Sequence, residues 1–396
     1  MKHLRFTLLL ALLTAFPPLA TDMYLPALPF LKVLWGASLS VINLTLVLFF
    51  AVYCISLLFY GPLSDRWGRR RPLLWGISIF IGGSVLCALS HNVGTLIAAR
   101  MLQAFGAASA SAISMAMTKD RLEGKERERV MGYVAVIMTL APMASPMVGS
   151  LILKWAAWPH IFVLQAILGS AAFIGVFFTP ETNGCLKKVG IKKLMGSYAR
   201  VCQNRNFMGI VVCTSLVGLP FFAFIASSSS IYISQYHLSA SMFSLFFGGN
   251  SLCFMLGAIV CARLGTRFES EAFIFLGFLG MAFGGAVMSL GLFPAHWSLA
   301  LPMGWISFFL GLSRPPANNI ALDQVKEDSG SASSLLVFTY FITGALGMAL
   351  VSFEWASNVH VIGVISTIIG IFLTFFWMRF RKELADSDNP AMVTIT

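Results

Sequence analysis

The chain has 396 residues, 58% of them hydrophobic and only 11% charged, with a formal net charge of +11. A soluble domain carries about 25% charged residues, so this chain lacks the polar surface to face water all round and reads as an all-α integral membrane protein. Its seven cysteines form no CxxC pair and its six histidines are dispersed, which argues against a disulfide framework, a metal site or a cofactor.

A membrane-spanning helix needs roughly 20 apolar residues, and walking the chain gives about twelve such segments. The first runs from Phe6 to Leu31 and is interrupted by one carboxylate, Asp22, within PPLATDMYLPALP. Lys2 and Arg5, the short apolar core from Phe6 to Phe16 and the small residues after it also fit a cleaved signal peptide. The apolar remainder of the chain favours a retained first span. The next spans centre near Phe50, Phe80, Ser109, Met138 and Ala171, and the last six near Phe222, Phe254, Gly280, Trp305, Tyr340 and Ile369.

Basic residues alternate with these spans. Arg66, Arg69, Arg70 and Arg71 follow the second; Lys119, Arg121, Lys125, Arg127 and Arg129 follow the fourth. Lys187, Lys188, Lys192, Lys193, Arg200 and Arg205 follow the sixth, and Arg263 and Arg267 the eighth. Arg314 and Lys326 follow the tenth, and Arg379, Arg381 and Lys382 the twelfth. The opposite loops hold only Lys32 and Lys154, so the positive-inside rule puts both termini in the cytoplasm. The excess positive charge is then topogenic. It calls for no nucleic-acid partner, and it suits contact with anionic lipid head groups. The basic connection 183–205 divides the chain into a six-helix bundle over 1–182 and a second over 206–396.

GPLSDRWGRRRPL, after the second span, interleaves Gly61, Asp65 and Gly68 with Arg66, Arg69 and Arg70, which topology signals alone do not explain. It resembles the loop signature of the major facilitator superfamily, matched at these positions and at Leu63. Physically, Gly61 suits close helix approach, and Asp65 can pair with arginine or sit at a helix N-terminus. The resemblance implies a cytoplasmic latch between the two halves. It also makes Asp120, in TKDRLEG, the acidic partner expected for Arg69.

The fourth span opens AARMLQAFGAASA, with Arg100 inside the span; it resembles a second motif of the superfamily at Arg100, Gln103, Gly106, Ala107 and Ala108, with Ala104 replacing a glycine. LAPMASPMVGSL in the fifth span resembles the antiporter motif of the drug-efflux members, with Pro142, Pro146 and Gly149 in register and Ser150 in place of a glycine. The sixth ends TPET, another feature of these exporters. TDMYLPALP resembles the first span of the bicyclomycin-resistance/CflA branch of drug:proton antiporters. That resemblance implies a proton-coupling role for Asp22, with Arg100 beside it. Some related exporters carry a second acid about two turns earlier; this chain has Thr14 there, which weakens any case for cations as the cargo.

Burial raises a carboxylate pKa and a nearby arginine lowers it, so an intramembrane Asp22–Arg100 pair suits proton loading. Glu354 lies near an outer span end. Polarity and the resemblance together suggest a substrate cavity of Tyr24, Phe49, Tyr53, Ser111, Met115, Phe222, Tyr232, Gln235, Asn250, Tyr340 and Thr343. Gly280 and Gly284 form a G-x-x-x-G pair, expected to serve helix packing. The expected protein is a monomeric, proton-coupled exporter of small amphipathic drug-like molecules in the bacterial cytoplasmic membrane, with lipids, protons and substrate as its partners. Export of a native metabolite or siderophore is the alternative. A membrane-embedded enzyme would need a constellation such as HExxH or GxSxG, and the chain has none; the latch motif and two-bundle layout argue against a receptor or channel.

Overall fold

A bilayer core offers no water to the backbone, so every N–H and C=O must be satisfied inside the protein, as a helix does residue by residue. The structure, a computed structural model describing residues 4–183, 191–265, 267–325, 328–353 and 355–387, consists of helices and short connections. Lys2, Lys187, Lys188, Lys326 and Glu354 lie outside the described residues, as do the side chains of Arg5, Lys125, Arg129, Lys192, Lys193 and Lys382.

In chain order the α-helices are α1 (Leu4–Thr14), α2 (Phe16–Thr21), α3 (Leu28–Leu34), α4 (Leu39–Trp67), α5 (Arg70–Ala88), α6 (Val93–Arg121), α7 (Gly124–Trp155) and α8 (Pro159–Phe177). Then follow α9 (Ile191–Gln203), α10 (Arg205–Leu216), α11 (Gly218–Ser229), α12 (Ala240–Leu264), α13 (Ser270–Ser289), α14 (Trp297–Asp323), α15 (Ser329–Leu350) and α16 (Asn358–Ser387). Among the described residues nine helical spans are long and apolar enough to cross a membrane, and two bent pairs raise this to eleven. Of the two helices left, α9 belongs to the basic connection and α14 coincides with the expected tenth span; Pro302, Pro315, Pro316 and Arg314 dilute its apolar character.

Within the first half, α4 packs on α6, α5 on α6 and α8, and α1 on α7. Within the second, α13 packs on α14 and α16, α12 on α14, and α10 and α11 on α15. The halves meet along two seams, α4 against α15 and α7 against α12. Hydrogen bonds fasten these seams at the end opposite the basic loops. The Ser40 hydroxyl donates to the Ser352 carbonyl, Asn43 Nδ2 to Ser352 Oγ at 3.0 Å, and Ser244 Oγ to the Pro146 carbonyl at 2.8 Å. The connecting segment carries its own helix, α9, which lies on α10 and α15 and donates from Arg200 to Asp328 at 2.7 Å. Gly280 and Gly284 receive Phe309, Trp305 and Ile306 of α14, so this pair serves packing within the chain.

Arg314 departs from the expected position. Ser313–Asn319 reads like a connection because of its two prolines and two asparagines, yet α14 continues through it. Arg314 therefore lies inside the helix, about two and a half turns before its end, rather than in a loop.

Candidate functional site

The first span is broken where the sequence dictates. Pro17 and Pro18 lack N–H donors and sit at the start of α2, and Pro26 begins a short 3₁₀ turn, Leu25–Ala27. The pieces Phe6–Thr14 and Phe16–Leu34 meet at Ala15 with a bend of 47°. Asp22 lies farther along, at a second interruption, the turn 22–24 between α2 and the 3₁₀ turn, and is 6% exposed. Its Oδ1 accepts from the Thr21 hydroxyl at 2.9 Å, and the same hydroxyl lies 2.9 Å from the Pro17 carbonyl. Thr21 is thus a rotor with two acceptors, one of them the carboxylate.

At the break the Tyr24 N–H turns to Thr21 O, so the Ala20 carbonyl loses its usual i+4 donor. Arg100 takes that place: Nη1 donates to Ala20 O at 2.7 Å and to Gln103 Oε1 at 2.6 Å. Gln103 Nε2 donates to Ser84 Oγ at 2.8 Å and Gln165 Oε1 at 2.7 Å, and Gln165 Nε2 donates to Leu19 O at 2.9 Å. This buried network of α5, α6 and α8 side chains holds the unwound backbone beside Asp22. The Arg100 guanidinium lies over the rings of Phe49 at 4.3 Å, Tyr24 at 5.1 Å and Phe162 at 5.9 Å, and it is fully buried. Its Nε and Nη2 have no acceptor among the described residues.

Asp22 and Arg100 share this pocket but form no ion pair among the described residues. The direct contact expected from the sequence is replaced by a grip on the backbone two residues away. Arg100 also does not reach for the membrane surface; three aromatic rings and two oxygen acceptors compensate its burial.

The proposed cavity residues divide into groups. Tyr24 and Phe49 wall in Arg100, and the Tyr24 hydroxyl sits 3.4 Å from Thr45 Oγ1. Tyr53 donates to Ser111 at 2.9 Å. Phe50 and Tyr53 of α4 meet Phe341 of α15 at centroid distances of 5.5 and 5.3 Å, Phe50 meets Phe222 of α11 at 5.1 Å, and Phe222 meets Tyr340 at 5.4 Å. These rings form one aromatic layer across the α4–α15 seam. Met115 is exposed, Ser111 is half-buried, and Thr343 donates to Thr339 O along its own helix. Tyr232, Gln235 and Asn250 are not brought to this layer. Tyr232 stacks on Phe246 at 5.2 Å, Gln235 is exposed at the end of a π-helical turn, and Asn250 accepts from Ser307 at 2.8 Å inside the second half.

The antiporter-motif residues lie on α7, whose parts 130–138 and 140–155 are bent by 43° near Pro142. Gly149 lets α7 touch the broken span directly: a Cβ there would overlap the Met23 carbonyl, next to Asp22. Gly149→Val is therefore expected to disrupt packing around Asp22 and lower thermal stability by about 2 kcal/mol, whereas Ser150→Gly is nearly silent. Differential scanning fluorimetry of both purified variants checks this.

At the basic-loop end, Arg69 Nε donates to Asp120 Oδ2 at 2.7 Å, Arg69 Nη1 meets Asp65 Oδ1 at 2.5 Å, and Arg69 Nη1 lies 2.8 Å from Ser64 Oγ. The Arg69–Asp120 pairing is the one expected. Asp65 keeps to its own half in this structure instead of reaching a partner helix. Gly61 faces open space, so it admits no close neighbour here, contrary to its expected packing role. Gly68 has φ +85, a left-handed conformation that favours glycine, and a Cβ there would strike the Glu181 carboxylate.

Sequence reasoning missed Glu181, although it noted TPET. Glu181 accepts from the backbone N–H of Arg69 at 2.8 Å and Arg70 at 3.0 Å, capping α5 from a distance, and from Thr182 and Asn183 at 3.0 Å. Arg70 returns a hydrogen bond to the Phe177 carbonyl and lies over the Phe177 ring at 5.3 Å. Burial opposes ionisation of Glu181, but four N–H donors outweigh it and hold its carboxyl below the usual range. A lowered folded-state pKa stabilises the fold above the ordinary carboxylate pKa, and that stabilisation is lost as pH falls through the lowered value. Glu181→Gln is expected to cost about 1 kcal/mol near neutral pH, with wild-type and variant melting curves converging in acid.

A multi-span helical protein in two halves, with a buried carboxylate at a helix break in the first, is built as a membrane transporter. Residues 10–348 match the Major Facilitator Superfamily, and the chain belongs to that superfamily. It is 30% identical to the uncharacterized MFS-type transporter YdgK of Bacillus subtilis, with 98% of each chain covered. It is 26% identical to a bicyclomycin resistance protein homolog of Haemophilus influenzae, with 88% of each covered. The nucleoside transporter NupG shares the fold, with a TM-score of 0.78 at 12% identity over 94% of this chain and 99% of that one.

Proposed function

We propose that this transporter exports small amphipathic, drug-like molecules in exchange for protons, by alternating access of a site between its halves. The observation that carries this reading is Asp22, a carboxylate buried at a helix break beside the Thr21 rotor and the Arg100 network. When Asp22 is ionised, the Thr21 hydroxyl donates to it. When Asp22 is protonated, that hydroxyl is free to turn to the Pro17 carbonyl while the acid proton donates to Thr21. Charge on Asp22 is thereby linked to the conformation of the broken span. Arg100, with unused donors, is the cation that stabilises the ionised form.

In this reading the basic loops and both termini are cytoplasmic, the protein acts as a monomer in the bacterial cytoplasmic membrane, and the bonded seams close its outer end. Asp65, released from the opposite half, fits the cytoplasm-facing state; its latch role belongs to the reverse state. Asp65→Asn is expected to slow export severalfold without unfolding the protein, with greater cysteine-reagent access from the cytoplasmic side. Unchanged access and transport would leave Asp65 a loop residue.

The direct test is purified protein in proteoliposomes under an imposed pH gradient, with a panel of antibiotics and dyes. Expected is drug movement that depends on the gradient and a drug-induced proton flux of opposite direction. Drug movement indifferent to the gradient would remove the coupling. Reporter fusions at Gly190 and Asp388, both outside the described residues, are expected to report cytoplasm; a periplasmic signal at either would invert the assignment.

A further inference from the structure

Two guanidiniums lie deep in the described spans, and they are held differently. Arg100 is sealed under three rings in the first half, with two oxygen acceptors. Arg314, in α14 of the second half, is half-buried, and its Cζ lies 3.6 Å from the Tyr340 ring centroid. No carboxylate pairs with Arg314 among the described residues, and no acceptor takes its N–H groups there. Beneath it the Tyr340 hydroxyl is buried and has no hydrogen-bond partner among the described residues. Tyr340 itself is 4% exposed and belongs to the aromatic layer through Phe222 and Phe341.

A guanidinium inside a membrane protein is normally met by a carboxylate, a carbonyl or a ligand. Its five N–H groups form a planar fork that matches a carboxylate in bidentate geometry. The cation–π contact with Tyr340 orients the plane but uses none of these donors. The nearby tyrosine hydroxyl supplies one more donor without an acceptor. An oxyanion satisfies both; an ammonium meets repulsion from Arg314; an amide satisfies them in part. Asp22, the carboxylate in the opposite half, engages Thr21 rather than Arg314. The rings that link the two guanidiniums, Phe49, Phe50, Tyr53, Phe222, Phe341 and Tyr340, pack on one another, and half-buried Phe341 is the one among them left partly open to the body of the same ligand.

We infer that Arg314 and Tyr340 form an anion subsite, so that the preferred cargo is an amphipathic aromatic carboxylate or a similarly acceptor-rich molecule. Arg314 receives the carboxylate, Tyr340 donates to it and keeps the guanidinium flat, and the aromatic layer takes the apolar part. The inference rests on the export reading only in calling this ligand a cargo; its recognition is read from binding alone.

The test uses full-length purified protein and three probes with one body: 4-phenylbutyrate, 4-phenylbutanamide and 4-phenylbutylamine. Dissociation constants come from isothermal titration, with thermal shift in parallel. Expected is a wild-type preference for the carboxylate over the amine of about tenfold or more, with the amide between them. Arg314→Gln is expected to weaken carboxylate binding about tenfold and leave the amide nearly unchanged. Tyr340→Phe keeps the ring under Arg314 and is expected to weaken the carboxylate about threefold to fivefold with little effect on the amine. Because Tyr340→Phe removes one oxygen only, it preserves the test should Arg314→Gln fold poorly. Best binding of the amine, no binding of the carboxylate to wild type, or an unchanged carboxylate preference in both variants overturns the subsite. Failure of the export reading shows separately, as binding with this preference but no gradient-dependent transport.

Discussion

Asp22→Asn is expected to reduce proton-driven export to background while leaving substrate affinity within about threefold of wild type. The amide has the shape of the carboxylate and still accepts from Thr21, so the broken span keeps its local hydrogen bond. What it loses is the ability to take up and release a proton. Nothing else described deep in the spans can replace it, because the other ionised groups there are the arginines Arg100 and Arg314. In weakly buffered detergent solution, substrate addition should release protons from wild type and none from the variant. Proton release of normal size from Asp22→Asn would place coupling elsewhere in the chain.

Replacing Arg100 should damage both stability and coupling. Arg100→Ala leaves the Ala20 carbonyl and the Gln103 side chain without their charged donor, at about 1–3 kcal/mol each for a buried unsatisfied group. It also opens a cavity beneath Phe49, Tyr24 and Phe162. Part of that loss is returned because a buried charge is removed. A melting temperature several degrees lower is expected, together with loss of substrate-induced proton release. Arg100→Lys separates the two effects. A lysine keeps the charge but cannot spread a planar face over Phe49 while reaching both oxygens, so folding should largely recover and coupling should not. If Asp22 and Arg100 act as one unit, Asp22→Asn with Arg100→Ala should export no worse than the more impaired single variant. Additive losses would make them independent.

Much of the fold is legible in the sequence because bilayer thickness sets a length that hydropathy can count. The exception is instructive. Around Arg314 the chain reads Ser-Arg-Pro-Pro-Ala-Asn-Asn, whose prolines and asparagines suggest a connection, yet α14 runs through it. Local composition cannot reveal that Tyr340, 26 positions later, supplies a ring for the guanidinium. The latch pair Arg69–Asp120 was legible through the resemblance of the two loops to superfamily motifs, which implied that pairing. The role of Glu181 was not, since its partners are backbone N–H groups, which leave no mark in a sequence. Asp22 itself was legible as an anomaly in an apolar run. Its indirect relation to Arg100 was not, because that depends on which carbonyl the proline break sets free.

The contact between Gly149 and Met23 has a mechanical consequence. With no side chain between them, the α7 backbone bears directly on the peptide that follows Asp22. Side chains that hop between rotamers can absorb small displacements; two abutting main chains cannot. Any straightening of the bend near Pro142 must therefore be passed, without slack, to the segment carrying the carboxylate. Movement of Asp22 between its surroundings must likewise push back on α7, and through the Ser244 bond to Pro146 on α12 in the other half. In the proton-exchange cycle proposed above, this glycine is the tooth by which a change of charge on Asp22 is passed to α7 and α12.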